Sequence, residues 1–153
     1  MLVRVDHHRV ALGDGPPRRL VQAGRVLAAG RRAALEWARL ISGSGRLELY
    51  QPPELDIVSY FPVAEPRRLS AIDRASARML ADGMADPARP VYLSTLRIAA
   101  ADFARRHPGV EPDREGARIL RSVLMKPEAE SYLPELHARV ERLAAGGTRE
   151  GSR

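Results

Sequence analysis

The chain has 153 residues, 44% of them hydrophobic, and a formal charge of +6, which fits one globular domain with tails. It contains no cysteine, so disulfides, thiolate catalysis and zinc–cysteine sites are excluded and a cytoplasmic setting is the default expectation. No stretch approaches the ~18 uninterrupted apolar residues of a membrane-spanning helix, and MLVRVDHHRV has neither the apolar core nor the cleavage site of a signal peptide.

The positive charge invites a nucleic-acid reading. Of the 25 basic residues, however, only Lys126 is lysine. Arginine with abundant alanine and proline reads as the compositional habit of a GC-rich genome, which weakens the charge as evidence about partners. Aromatic residues, the stacking platforms of single-strand binders, are also few.

Residues 1–16 read as an N-terminal segment or linker: VDHHRV as a short strand, GDGPP as a turn. His7 and His8 would point to opposite sides of that strand, a poor geometry for a shared metal. From Pro17 to Ser42 the period is helical. Leu20, Leu27, Ala34 and Ile41 recur every seventh position, widened by Ala23, Leu35, Trp37 and Ala38. Arg18, Arg25, Arg32 and Arg39 form a second series on the opposite side. This predicts a long amphipathic helix whose basic face could track phosphates, although such faces are more commonly just solvated. SGSG at 42–45 ends it.

Arg46–Tyr50 and Asp56–Val63 read as two strands joined by a Pro-Pro connection. Ser70 is placed to cap a helix through about Met84, with Ile72, Ala75, Met79 and Leu80 turned inward. PVYLSTLRI (90–98) is a third strand and AAADFARRHPGV (99–110) a short helix closed by Pro108-Gly109. ARILRSVLMKP (117–127) is a fourth strand. The last helix starts near Glu130, carries Leu133, Leu136, Val140 and Leu143 inward, and places Pro134 in its first turn. Residues 146–153 read as a frayed tail. The expected fold class is α+β: a mostly antiparallel sheet of about four strands, helices packed on one face, and a long leading helix.

Self-contained catalytic machinery is not evident. There is no glycine-rich phosphate loop and no Gly-x-Ser-x-Gly elbow. His107 and His137 lack a nucleophile or carboxylate constellation. His137 and Glu141, four apart on one helix, read as an ordinary surface pair, and Lys126 as a solvated lysine. No residue is therefore assigned as catalytic, cofactor-binding or metal-binding. The candidate binding residue is Arg121, on the strand face of Ile119, Val123 and Met125, while Leu120 and Leu124 occupy the other. A strand apolar on both sides is usually covered. A guanidinium inside it needs an anion: either a structural carboxylate of the chain, or a ligand carboxylate gripped in bidentate fashion.

The order of elements resembles a known family. GRRAALEWARLISGSGRLELYQPPELDIVSYFP (30–62) is similar to the start of the C-terminal small domain of pyridoxal-phosphate-dependent group II amino-acid decarboxylases. In these a long helix leads into a strand, a Pro-Glu-Leu turn (here Pro53-Glu54-Leu55) and a second strand. PVYLSTLRI resembles the next strand, and ILRSVLMKPEAESYLPELHARVERLA (119–144) the terminal strand–Pro–helix unit. The resemblance covers about 17–145. It implies the small domain of the aspartate-aminotransferase-like fold (fold type I), a role in amino-acid metabolism, and α-decarboxylation of an amino acid to an amine and CO2 on pyridoxal phosphate. It further implies that Arg121 anchors the substrate carboxylate.

The family's cofactor lysine follows a histidine in a large domain, and no lysine follows a histidine here. The resemblance therefore implies a large pyridoxal-phosphate-binding domain as partner, in the same enzyme or on a separate chain, and no activity for this chain alone. The apolar surface expected to meet that domain would favour self-association. Alternative readings are a non-catalytic small-anion-binding or regulatory module, a nucleic-acid binder using the basic helix, and a domain fragment that folds poorly.

Overall fold

The computed structural model describes residues 18–124 and 129–146. The segment 1–16, with His7 and His8, lies outside them, as do Met125, Lys126 and residues 147–153. The described residues form α1 (Arg18–Ser42), β1 (Leu47–Leu49), β2 (Ile57–Pro62), α2 (Leu69–Ala85), β3 (Ser94–Ala99), α3 (Ala100–Arg106), β4 (Gly116–Val123) and α4 (Ala129–Ala145). The sheet order is β1-β2-β4-β3 and every pairing is antiparallel. This is the predicted α+β class, with a four-stranded antiparallel sheet and a long leading helix; the helices do not all pack on one face, because Phe103 draws α3 onto the face of Phe61 and Ile119.

The register fixes two faces. Tyr60 pairs with Leu120, and Leu120 with Thr95. On this face Trp37 of α1 meets Tyr60 edge-on at 5.9 Å, and Leu120 joins Met79 of α2 and Leu133 and Val140 of α4 in one core. Three helices therefore cover this face. On the other face Phe61 meets Phe103 of α3 at 5.1 Å. Ile119, Tyr50 and Val110 complete a second core, which also takes in Leu69 and Ile72 at the start of α2.

Helix α1 buries only part of its predicted stripe. Ala34, Trp37, Ala38 and Ile41 are buried, whereas Leu27 and Leu35 are 62% and 49% exposed and Ala23 is exposed. The side chain of Leu20 lies outside the described residues. For Ala23 and Leu27 the reason is length: 25 residues at about 1.5 Å each outrun a six-residue strand of about 20 Å, whereas Leu35, flanked by buried Ala34 and Trp37, lies at the edge of the stripe. The N-terminal half of α1 therefore has no sheet beneath it. Ser44 organises the following turn: its hydroxyl accepts from the Arg46 and Leu47 amides and donates to Glu141 of α4 at 2.6 Å. Glu141 is thus a tie between α1 and α4, not the surface partner of His137. His137 is half-buried and packs edge-on against Trp37 at 5.8 Å.

The β2 hairpin closes tightly. Glu54 and Ile57 exchange both backbone hydrogen bonds, at 3.0 and 2.8 Å, around Leu55-Asp56. Leu55 adopts φ 52°, a left-handed conformation that costs a non-glycine residue about 1–2 kcal/mol. The Arg31 guanidinium offsets part of this by donating to the Pro53 and Leu55 carbonyls at 2.8 and 3.3 Å.

Ser70 does not cap α2. The helix begins one residue earlier, and Asp113 from the loop before β4 accepts the Ser70 amide at 2.9 Å and its hydroxyl at 2.5 Å. A carboxylate at the positive end of a helix satisfies an orphan N–H and the dipole together. Pro134 lies in the interior of α4 rather than its first turn. The third strand starts later than predicted, because residues 90–93 pack across the end of α2 instead of pairing. Val91 is buried and its amide donates to the Gly83 carbonyl at 2.8 Å.

The tightest backbone approach is at Gly116, opposite Ala99, where a Cβ would stand 2.4 Å from the Ile98 carbonyl oxygen. Gly116→Ala must part β3 from β4, and we expect a loss of about 1–3 kcal/mol in chemical denaturation. Gly45→Ala, where a Cβ meets nothing within 4 Å, should change stability by less than about 0.5 kcal/mol. Equal effects at the two positions would contradict this packing.

Candidate functional site

Strand β4 carries two arginines three residues apart, Arg118 and Arg121, so alternation sends them to opposite faces. Arg118 meets Asp73 of α2, a carboxylate only 4% exposed. Asp73 Oδ1 accepts from the Arg118 amide at 2.8 Å and from its Nε at 3.0 Å. Oδ2 accepts from Arg118 Nη2 at 3.1 Å and Arg114 Nη1 at 2.9 Å. The Arg118 hydrogen bonds outweigh burial and hold the Asp73 carboxyl down at about 2. The structural ion pair considered for Arg121 thus belongs to Arg118.

Arg121 sits between Ser59 of β2 and Ser94 of β3 in the register. Ser94 Oγ donates to the Arg121 carbonyl at 2.8 Å. The Arg121 side chain is half-buried, and its Nε is buried without a hydrogen-bond partner among the described residues. No described carboxylate pairs with it. Arg78 on α2 also leaves its Nε unbonded, but on the far side of the sheet. Location on the sheet's other face is what sets Arg121 apart.

That face is not covered along its whole length, as the sequence suggests. α3 shields the end carrying Phe61, Ala117 and Ile119. At the Arg121 end, Val123 is 46% and Leu96 37% exposed, and Ile57 is half-buried. β4 is interior within the sheet, yet Arg121 lies on an open, largely apolar surface. Such a surface is suited to being covered by another body.

The remaining candidates are structural. His107 follows α3, with Nε2 donating to the Tyr50 carbonyl at 2.9 Å and Nδ1 3.2 Å from Glu48 Oε1. Its ring is packed among Tyr50, Phe61 and Phe103. On the basic side of α1, Arg25, Arg32 and Arg39 are exposed, and Glu36 grips Arg39 through two hydrogen bonds of 2.7 and 2.8 Å. The described residues contain no group of three or more potential metal ligands, and no helix among them is long and apolar enough to cross a membrane.

Pyridoxal phosphate needs an amine for its imine, a carboxylate for its ring nitrogen and donors for its phosphate. The described residues include no lysine. Asp73 is saturated by Arg114 and Arg118, and both ring nitrogens of His107 are engaged. Neither Asp73 nor His107 therefore has an atom left to offer this cofactor's ring.

No family model and no curated protein matches the sequence. Among solved structures, the chain is similar to the glutamate decarboxylase domain of diaminobutyrate-pyruvate transaminase and L-2,4-diaminobutyrate decarboxylase from Vibrio parahaemolyticus. The TM-score is 0.55, with 15% sequence identity over 80% of this chain. The chain spans 22% of the length of that structure. The likeness is one of fold.

Asp73 yields a pH prediction whose sign is fixed. Its folded value of about 2 lies below the ordinary 3.8, so its contribution is present above 3.8 and is lost as pH falls toward 2. Denaturant midpoints should decline over that window, and Asp73→Asn should flatten the decline. At neutral pH the same substitution should cost about 1–3 kcal/mol, a moderate figure because the Arg118 side chain is 45% exposed and screened. Arg121→Met should be neutral within about 0.5 kcal/mol or stabilising. A loss at Arg121 equal to that at Arg118→Met would make Arg121 a structural residue.

Proposed function

We propose that this chain acts as the C-terminal small domain of a pyridoxal-phosphate-dependent amino-acid decarboxylase, converting an amino acid to an amine and CO2 only together with a cofactor-lysine domain. That domain lies outside these residues, in the same protein or on a separate chain. The domain unit in this reading runs from about residue 17 to 145. The observation that carries the reading is Arg121: a half-buried guanidinium with no described partner, on the open face of a sheet that shares its fold with a segment of a decarboxylase domain.

The chemistry follows from position. Backbone pairing to strands on both sides fixes where Arg121 sits on the sheet. Its planar fork presents two parallel N–H donors to a carboxylate. Ile57, Leu96 and Val123 flank it, and a second domain resting on them excludes water and strengthens the ion pair. In this reading Arg121 binds and orients the substrate carboxylate and moves no proton.

The test is reconstitution. The purified chain with pyridoxal phosphate should give neither the cofactor's imine absorbance nor amine. Co-expression with a cofactor-lysine domain from an adjacent reading frame should give both. In that assembly Arg121→Met should lower kcat/KM by about a hundredfold or more, in line with the roughly 2–5 kcal/mol lost when a buried charge pair is broken. Full activity of the Arg121→Met assembly would overturn the assignment.

A further inference from the structure

A pocket of about 300 Å³ opens beside α3 on the same side of the sheet as Arg121. That volume is at the lower end of the ~300–1,000 Å³ typical of small-molecule sites. Ser59, Leu96 and Ile98 contribute from the sheet, Tyr50, Arg105 and Arg106 from the side. Arg105 is occupied by Asp102 at 2.8 Å. Arg106 is not: its guanidinium lies over the Tyr50 ring, 5.4 Å from the centroid, with no carboxylate partner among the described residues. A guanidinium stacked on a ring keeps its edge N–H groups available to an anion. The Tyr50 ring is itself held by packing against Phe103 and His107, so the stacking platform is rigid.

Ser59 supplies the second observation. It is only 6% exposed, and its hydroxyl makes no hydrogen bond to any described residue, although it lines the pocket. It is not one of the polar atoms sealed from solvent, so the hydroxyl opens into the pocket, where a ligand oxygen can take the place of water. The pocket thus offers a cation without a carboxylate partner at the rim, an accessible hydroxyl at the sheet, and the apolar surface of Leu96 and Ile98 beside them.

We propose that this pocket binds a short-chain carboxylate bearing a second hydrogen-bonding group, such as a hydroxy or oxo acid. The carboxylate rests on Arg106, the chain lies over Leu96 and Ile98, and the distal oxygen bonds to Ser59. The site is complete within this chain and depends neither on Arg121 nor on a second domain.

The test titrates the full chain with ω-hydroxypentanoate, pentanoate and inorganic phosphate, following backbone amide signals by NMR. Saturable shifts at Tyr50, Ser59, Leu96 and Arg106 are expected in the millimolar range, with the hydroxy acid tightest and phosphate weakest. Arg106→Gln should weaken both acids at least about tenfold, equivalent to about 1.4 kcal/mol. Ser59→Ala should remove the preference for the hydroxy acid, and Arg25→Gln, at an exposed arginine on α1, should leave binding unchanged, which separates a built site from general attraction of anions to a basic chain. Non-saturable shifts, phosphate binding as tightly as the acids, or Arg106→Gln binding like the original chain would each overturn the proposal.

Discussion

The buried carboxylate of Asp73 is the fixed point of the molecule. Four hydrogen bonds from Arg118 and Arg114 converge on it and fasten β4 to α2. Because side chains alternate along a strand, sliding β4 by one residue would exchange its faces. Arg118 would then leave Asp73, and Ile119 would leave the Phe61–Phe103 cluster for the three-helix side. The ion cluster therefore selects the register, and the register decides which arginine remains on the open face. The availability of Arg121 is a consequence of the satisfaction of Arg118.

The helix-covered face does not satisfy every polar group that it buries. There the Tyr60 hydroxyl is fully buried and bonded to Ser122 at 3.1 Å, and burial pushes its ionisation up to about 12, yet Trp37 Nε1 and Ser76 Oγ are buried without a partner among the described residues, which costs stability. What distinguishes Ser59 and Arg121, neighbours in the register, is position: they lie on the face that α3 covers only in part.

Much of this architecture is legible in the sequence, because period and punctuation are local. Alternation in ARILRSVL marks β4, the seven-residue series marks α1, and Pro-Pro-Glu-Leu marks the hairpin. The odd position of Arg121 is visible in the same way. What the sequence hides depends on distant partners. Alternation says that Arg118 and Arg121 face opposite ways, but not which of them meets a carboxylate 45 residues back. The clue is faint: Asp73 falls on the same α2 face as Leu69, Ile72, Ser76 and Met79, where an acid must be paired. The Asp113 cap of α2 spans 43 residues and leaves no local pattern. Leu27 and Leu35 obey the helical period yet stay exposed, since periodicity records which face is apolar and not whether anything lies against it.

The grip of Arg31 on the Pro53 and Leu55 carbonyls turns α1 into a lever. The helix is anchored at its C-terminal end by Trp37 and Ile41 in the core, while its N-terminal half stands clear of the sheet. Arg31 lies between, attached to the loop that closes β2, in which the left-handed Leu55 already stores strain. Two residues beyond the closing pair of that loop, Ser59 stands beside Arg121. The leading helix is thus tied through Arg31 to the loop that leads into the open face of the sheet, although it packs against the opposite one.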